Sequence, residues 1–187
     1  MMTEAKGRIF IISAPSGSGK GTVIDHLLKL RPGLVFSVSA TTRAARPGEV
    51  DGVSYYFVTR DRFMQMIRDD EFLEYCRYVG EYYGTPEAPI LENVGSGRDV
   101  LLDVEVQGAK QIRDKLPEAV AIFIVPPDME ELERRLRGRG TDSEEKLEAR
   151  LKRARLELEM QGFYDHIVVN DHVERVAEEI LSIIENA

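Results

Sequence analysis

The chain has 187 residues, 43% of them hydrophobic and 31% charged, with a formal net charge of −8 and one cysteine. That length suits one domain with a sizeable core, and no apolar run is long enough to span a bilayer. The acidic balance argues against tight nonspecific binding to nucleic acid or an anionic membrane, both of which need a positive surface.

The opening stretch MMTEAKGRIF lacks the apolar core and cleavage site of a secretory leader, and the lone Cys76 has no internal disulfide partner. Both features set the expectation of a soluble protein in a reducing, cytoplasmic compartment, with Cys76 structural or inert. Residues 8–13, RIFIIS, form a short run rich in β-branched side chains. After a glycine-rich stretch, Ile24, Leu27 and Leu28 recur at helical spacing until RPG stops them, so the order is strand, loop, helix. Further apolar runs at 99–106 (DVLLDVEV), 119–125 (AVAIFIV) and 166–170 (HIVVN) are each followed by a helical pattern. Alternation of that kind predicts an α/β fold whose parallel sheet is covered by helices. The last helix carries Val173, Val176, Ala177, Ile180, Leu181 and Ile184 on one stripe, and Asp171 with Glu174 resembles a capping box at its start.

Two segments interrupt the alternation. Residues 37–94 are short-patterned and aromatic, predicting small strands around a helix at 61–69. Residues 129–162 are charged and helical but broken by RGRGTDS, predicting a helical hairpin. The arginines cluster at 43 and 46, at 134, 135, 137 and 139, and at 150, 153 and 155, which leaves room for local anion pockets in an acidic chain. His26, His166 and His172 have no metal-ligand spacing, and there is no internal repeat.

The glycine-rich stretch is SAPSGSGKGT, with Ala14 where a phosphate loop usually has its first glycine and Gly21 where it has a hydroxyl. Gly17, Gly19 and Gly21 allow backbone N–H groups to turn inward, the following helix adds its positive end, and Lys20 adds a full charge. The candidate phosphate ligands are therefore Ala14, Pro15, Ser16, Gly17, Ser18, Gly19, Lys20, Gly21 and Thr22. The alternative is a tight strand-to-helix turn with a solvated lysine. Gly21 has no side-chain oxygen for Mg²⁺, and Thr22 lies about 100° further round the helix. Thr22 is therefore expected to meet a phosphate oxygen, with the metal held largely by nucleotide and water.

The stretch TTRAARPGEVDGVSYYFV at 41–58, with GKGT, EYYGT, LDVEVQGA, LRGRGTDSEE and VVND in order, resembles the guanylate kinase family over nearly the whole chain. A GKGT ending is also familiar among nucleoside monophosphate kinases generally. The resemblance implies a P-loop NTPase-type parallel sheet, with a core at about 1–36, 95–128 and 163–187, an inserted GMP-binding lobe at about 37–94 and a helical lid at about 129–162. It implies transfer of the terminal phosphoryl of ATP to GMP with Mg²⁺, a step of purine nucleotide metabolism. The partners are then ATP and GMP, or dGMP, with no nucleic acid or membrane; self-association is not specified.

Residue by residue, the resemblance assigns the GMP phosphate to Arg43, Arg46, Tyr55 and Tyr83, and the guanine to Glu74, Ser39 and Thr85. Arg43 also counts with Lys20, Arg139 and Arg150 as catalytic. Glu105 stands where the family commonly has an aspartate facing the acceptor nucleotide. The donor side takes Arg135 and Asn170 besides the loop, and Thr22 or Asp103 reaches Mg²⁺ through water. Each has a plain alternative. Arginines on a turn are solvated, Glu74 is an exposed acid, Asp103 and Asp171 cap helices, and Glu130–Arg134, Glu131–Arg135 and Glu133–Arg137 form an i,i+4 ladder that leaves Arg139 and Arg150 outside it. Two rival functions are a catalytically silent phosphopeptide-binding module and a kinase for another small phosphate ester.

Overall fold

The computed structural model describes residues 6–78, 80–138 and 143–187. In chain order the elements are β1 (Ile9–Ser13), α1 (Lys20–Leu30), β2 (Val35–Phe36), β3 (Ala40–Thr41), β4 (Tyr56–Phe57), α2 (Arg60–Arg68), β5 (Phe72–Tyr78), β6 (Glu81–Pro86), α3 (Glu87–Gly95), β7 (Val100–Asp103), α4 (Val106–Lys115), β8 (Val120–Val125), α5 (Met129–Arg137), α6 (Glu144–Glu159), a 3₁₀ turn (Met160–Phe163), β9 (His166–Val169) and α7 (Val173–Asn186).

Five strands form a sheet in the order β2-β7-β1-β8-β9. The pairs β2–β7, β1–β8 and β8–β9 are parallel, and the N–H of Val100 and of Val104 reaches the C=O of Arg8 and of Ile12, the same direction again. All five residues of β1 and five of six in β8 are buried, as a strand covered on both faces requires. A second sheet, β4-β3-β6-β5, carries the aromatic segment.

The chain divides into two compact units. The first takes the chain up to Ile9, Val35–Leu102 and Gln107–Ala119. It has its own small core of Ala40, Phe63, Met66 and Phe72, with the Phe63 and Phe72 rings stacked at 4.5 Å. The second takes Phe10–Leu34, Asp103–Val106 and Val120–Ala187. In it α1 packs on α7, while α5 and α6 share a seam of Leu132, Leu136, Leu147, Leu151 and Ala154.

Three expectations change. The run at 99–106 is strand only to Asp103, because Val106 already opens α4. The segment at 37–94 holds a second helix, α3, behind a Pro86 N-cap that offers no side-chain signal. Asp171 does not cap α7; the N-cap is His172, without a side-chain bond. The Asp171 carboxylate instead takes the Arg175 guanidinium and the His172 N–H, which hold it below the usual carboxylate range.

Candidate active site

In the second unit, β1 delivers the chain into the glycine loop and α1 carries it away, with Gly19 as N-cap. Gly17 and Gly19 have φ of +94° and +84°, the left-handed region open mainly to glycine. Space excludes a side chain as well: a Cβ would lie 2.7 Å from Leu136 Cδ2 at Gly17 and 2.7 Å from Asn170 Nδ2 at Gly19. Gly21 differs, since a Cβ there meets nothing within 4 Å. Neither space nor a left-handed φ demands a glycine at 21.

The loop is braced from three sides. Asn170, 2% exposed, donates from Nδ2 to the Ser18 C=O at 2.6 Å. Arg135 donates to the same carbonyl at 3.3 Å and to the Asn170 C=O at 2.9 Å, while its Nε meets Glu131 at 2.7 Å. Arg150 on α6 donates to Ser16 Oγ at 2.8 Å. Lys20 donates to the Val104 C=O at 3.1 Å and pairs with Asp103.

The arginine ladder on α5 differs from its expected pattern. Glu131 holds Arg134 and Arg135 together, Arg134 the more strongly, and the two cations depress its carboxyl to about 2. Arg137 pairs with Glu133 and with Glu144 of α6. Arg135 therefore belongs to the ladder and to the loop at once. Arg139 lies outside the described residues. Glu105, exposed at the start of α4, pairs with Arg153 of α6 in this unit.

The first unit holds the residues expected for the acceptor other than Glu105. Arg43 forks onto Glu49 at 2.9 and 2.8 Å and lies 5.4 Å from the Tyr55 ring centroid. The Tyr55 and Tyr83 rings meet edge to face at 6.1 Å. The Arg43 fork, with the Arg46 backbone N–H donating at 2.7 Å, depresses the Glu49 carboxyl to about 2. Arg46 itself is exposed and Ser39 half-buried.

Glu74 is not the exposed acid that its local sequence allows. It is 8% exposed on β5, and Thr85, 1% exposed and opposite it on β6, donates from Oγ1 to its Oε1 at 2.6 Å. An irregularity in the pairing between Phe72 and Glu74, where β5 advances two residues and β6 one, turns this side chain. Its other oxygen lies against α4: a Cβ on Gly108 would be 2.9 Å from Oε2. Gly108 is thus a wall of the carboxylate's site that spacing alone did not single out. Its signal is the QGA triplet at 107–109, a glycine where helix propensity disfavours one.

Among the described residues no three His, Cys, Asp or Glu side chains cluster to cage a metal, and no helix is long and apolar enough to cross a membrane. Asp103, one-third exposed beside Lys20, is a single hard oxygen donor. That donor set fits a Mg²⁺ ion that keeps its own waters and takes its remaining ligands from phosphate.

The family model described as Guanylate kinase matches residues 6–187. The chain belongs to the guanylate kinase family. It is 50% identical over 180 residues to the guanylate kinase of Lactococcus lactis, covering 96% of this chain and 88% of that one. It is 49% identical over 178 residues to that of Trichodesmium erythraeum, with 95% and 96% covered. The crystal structure of guanylate kinase from Anaplasma phagocytophilum superposes with a TM-score of 0.78 at 36% identity, covering 99% of this chain and 88% of that one.

Proposed function

We propose that this member of the guanylate kinase family, an enzyme that phosphorylates GMP to GDP at the expense of ATP, does so by direct in-line transfer without a protein nucleophile. The reaction belongs to purine nucleotide metabolism in the cytoplasm. The observation that carries the acceptor assignment is the buried Glu74 carboxylate with Thr85 bonded to one of its oxygens.

Guanine offers N1–H and N2–H donors side by side, and a carboxylate accepts both. Adenine offers a lone pair at N1, which leaves the buried acceptor unpaired and disfavours that base. The Thr85 hydroxyl hydrogen is committed to Glu74, so its oxygen is left as an acceptor for N2–H, while Ser39 serves the base edge. Arg43, Arg46, Tyr55 and Tyr83 bind the GMP phosphate, for which Arg43 exchanges its fork on Glu49. On the donor side the backbone of 14–19 and Lys20 hold the ATP phosphates, with Thr22 on a phosphate oxygen, and Asn170 and Arg135 keep the loop in shape.

Arg135, Arg139 and Arg150 supply positive charge as the lid at 129–162 closes, which also excludes water that would hydrolyse ATP. Asp103 would hold Mg²⁺ through a water. The ion supplies charge neutralisation of the transferring phosphoryl. Catalysis on the protein's part is positioning and electrostatics.

The test is a coupled assay of the purified chain with ATP and GMP, AMP, UMP or a ribose bisphosphate in turn. Turnover with GMP alone is expected. Failure to make GDP from ATP and GMP overturns the proposal, and preference for another acceptor overturns the assignment of Glu74.

A further inference from the structure

We propose that Gln111 is a positioning residue for base recognition: from α4 it clamps β5 at Tyr75, next to Glu74, and thereby aims the Glu74 carboxylate. The inference rests on the reading of Glu74 as the guanine acceptor and goes beyond it by naming what holds that acceptor in place.

Among the described residues β5 is the outer strand of its sheet, paired with β6. An outer strand leaves every other N–H and C=O without a neighbour, and this one also contains the irregularity beside Glu74. Slack at that point would let the carboxylate swing. Side chains of α4 remove it. Tyr75 donates its N–H to Gln111 Oε1 at 3.3 Å, and Gln111 Nε2 returns a long bond to the Tyr75 C=O at 3.5 Å, so the amide imitates a neighbouring strand. One turn on, Lys115 donates to the Phe72 C=O at 2.8 Å while pairing with Asp70 at 2.7 Å. The backbone is held on both sides of Glu74.

Gly108, Gln111 and Lys115 are spaced i, i+3 and i+7, one face of a helix. A Cβ on the first would run into the carboxylate, and the other two touch its strand. Gln111 is exposed and is no part of the apolar core. Ordering a long, solvated amide on a strand edge has an entropic penalty, which is explained if the strand's geometry is what the amide supplies.

The experiment compares wild type, Gln111→Met, Glu74→Gln and the double variant, with GMP and with IMP, which lacks the 2-amino group. Gln111→Met keeps the side chain's length and removes both bonds. It should raise KM for GMP about 5- to 10-fold and lower the preference for GMP over IMP by a similar factor. KM for ATP and Tm should stay at wild-type values, and amide exchange at Tyr75 should quicken. Because Gln111 acts through Glu74, the double variant should be no worse than Glu74→Gln alone. Wild-type GMP kinetics in Gln111→Met, with discrimination lost in Glu74→Gln, overturns the inference and leaves the site reading intact. Multiplying effects in the double variant overturn it too. Unchanged discrimination in Glu74→Gln overturns the site reading, and the inference with it.

Discussion

Gly108→Ala separates the needs of the fold from those of the site. The new Cβ would lie 2.9 Å from Glu74 Oε2, 3.2 Å from Cδ and 3.3 Å from Cγ. Ordinary contact between such atoms begins near ~3.5 Å, so the carboxyl group has to retreat by roughly 0.5 Å. It is not free to do so, because it is buried and its other oxygen is held at 2.6 Å by Thr85. Overpacking and an off-rotamer carboxylate together cost about 1–2 kcal/mol. If that strain is relieved only by misaligning the carboxylate, KM for GMP rises about 5- to 30-fold at about 1.4 kcal/mol per decade. Stability moves the other way in part, since alanine favours a helix over glycine by up to about 1 kcal/mol, so Tm should move by no more than about 4 °C. Initial rates with GMP varied at saturating ATP, then the reverse, give the two KM values, and a thermal melt gives Tm. An unchanged KM for GMP, or an equal rise for both substrates, refutes the reasoning.

Glu74→Gln should damage GMP use far more than ATP use, read as KM for each substrate. Arg139→Ala should lower kcat strongly with KM for GMP nearly intact, and a purely KM effect would argue for binding rather than transition-state stabilisation. Gly17→Ala and Gly19→Ala, each at positive φ and each directing a Cβ into a neighbour at 2.7 Å, should lower Tm. Gly21→Ala, with open space around it, should raise stability by about 0.5–1 kcal/mol, measured by denaturant titration. Glu131 titrates at about 2 in the folded chain against an ordinary 4.5, so its ion pairs stabilise the protein above pH 4.5 and lose that effect as pH falls toward 2. The difference in Tm between wild type and Glu131→Gln should shrink over that window.

Much of the fold was legible because its signals are local. β1, β8 and β9 announce themselves as apolar β-branched runs, and α7 buries Val176, Ala177, Ile180 and Ile184 from its stripe. The loop's glycines, Lys20 and the arginines of the hairpin could be read by type and spacing. What spacing could not read is partner choice. Asp103 and Asp171 both had capping roles open to them, yet one meets Lys20 and the other Arg175. Glu105 pairs with Arg153, 48 residues away. α3 carries no local start signal, because its N-cap is a proline with no capping side chain.

The chain's own order of residues determined the sheet with its helices, the glycine loop and the family, since hydrophobic period, glycine placement and motif order are properties of neighbours along the chain. Only tertiary structure decided that Glu74 is buried, that Thr85 and Gly108 bound its carboxylate on either side, and that Gln111 and Lys115 grip its strand. The reason is physical. Burial and hydrogen-bond partners depend on contacts across 11 to 43 residues of sequence, and a carboxylate's selectivity depends on angstrom-scale placement that no local pattern encodes.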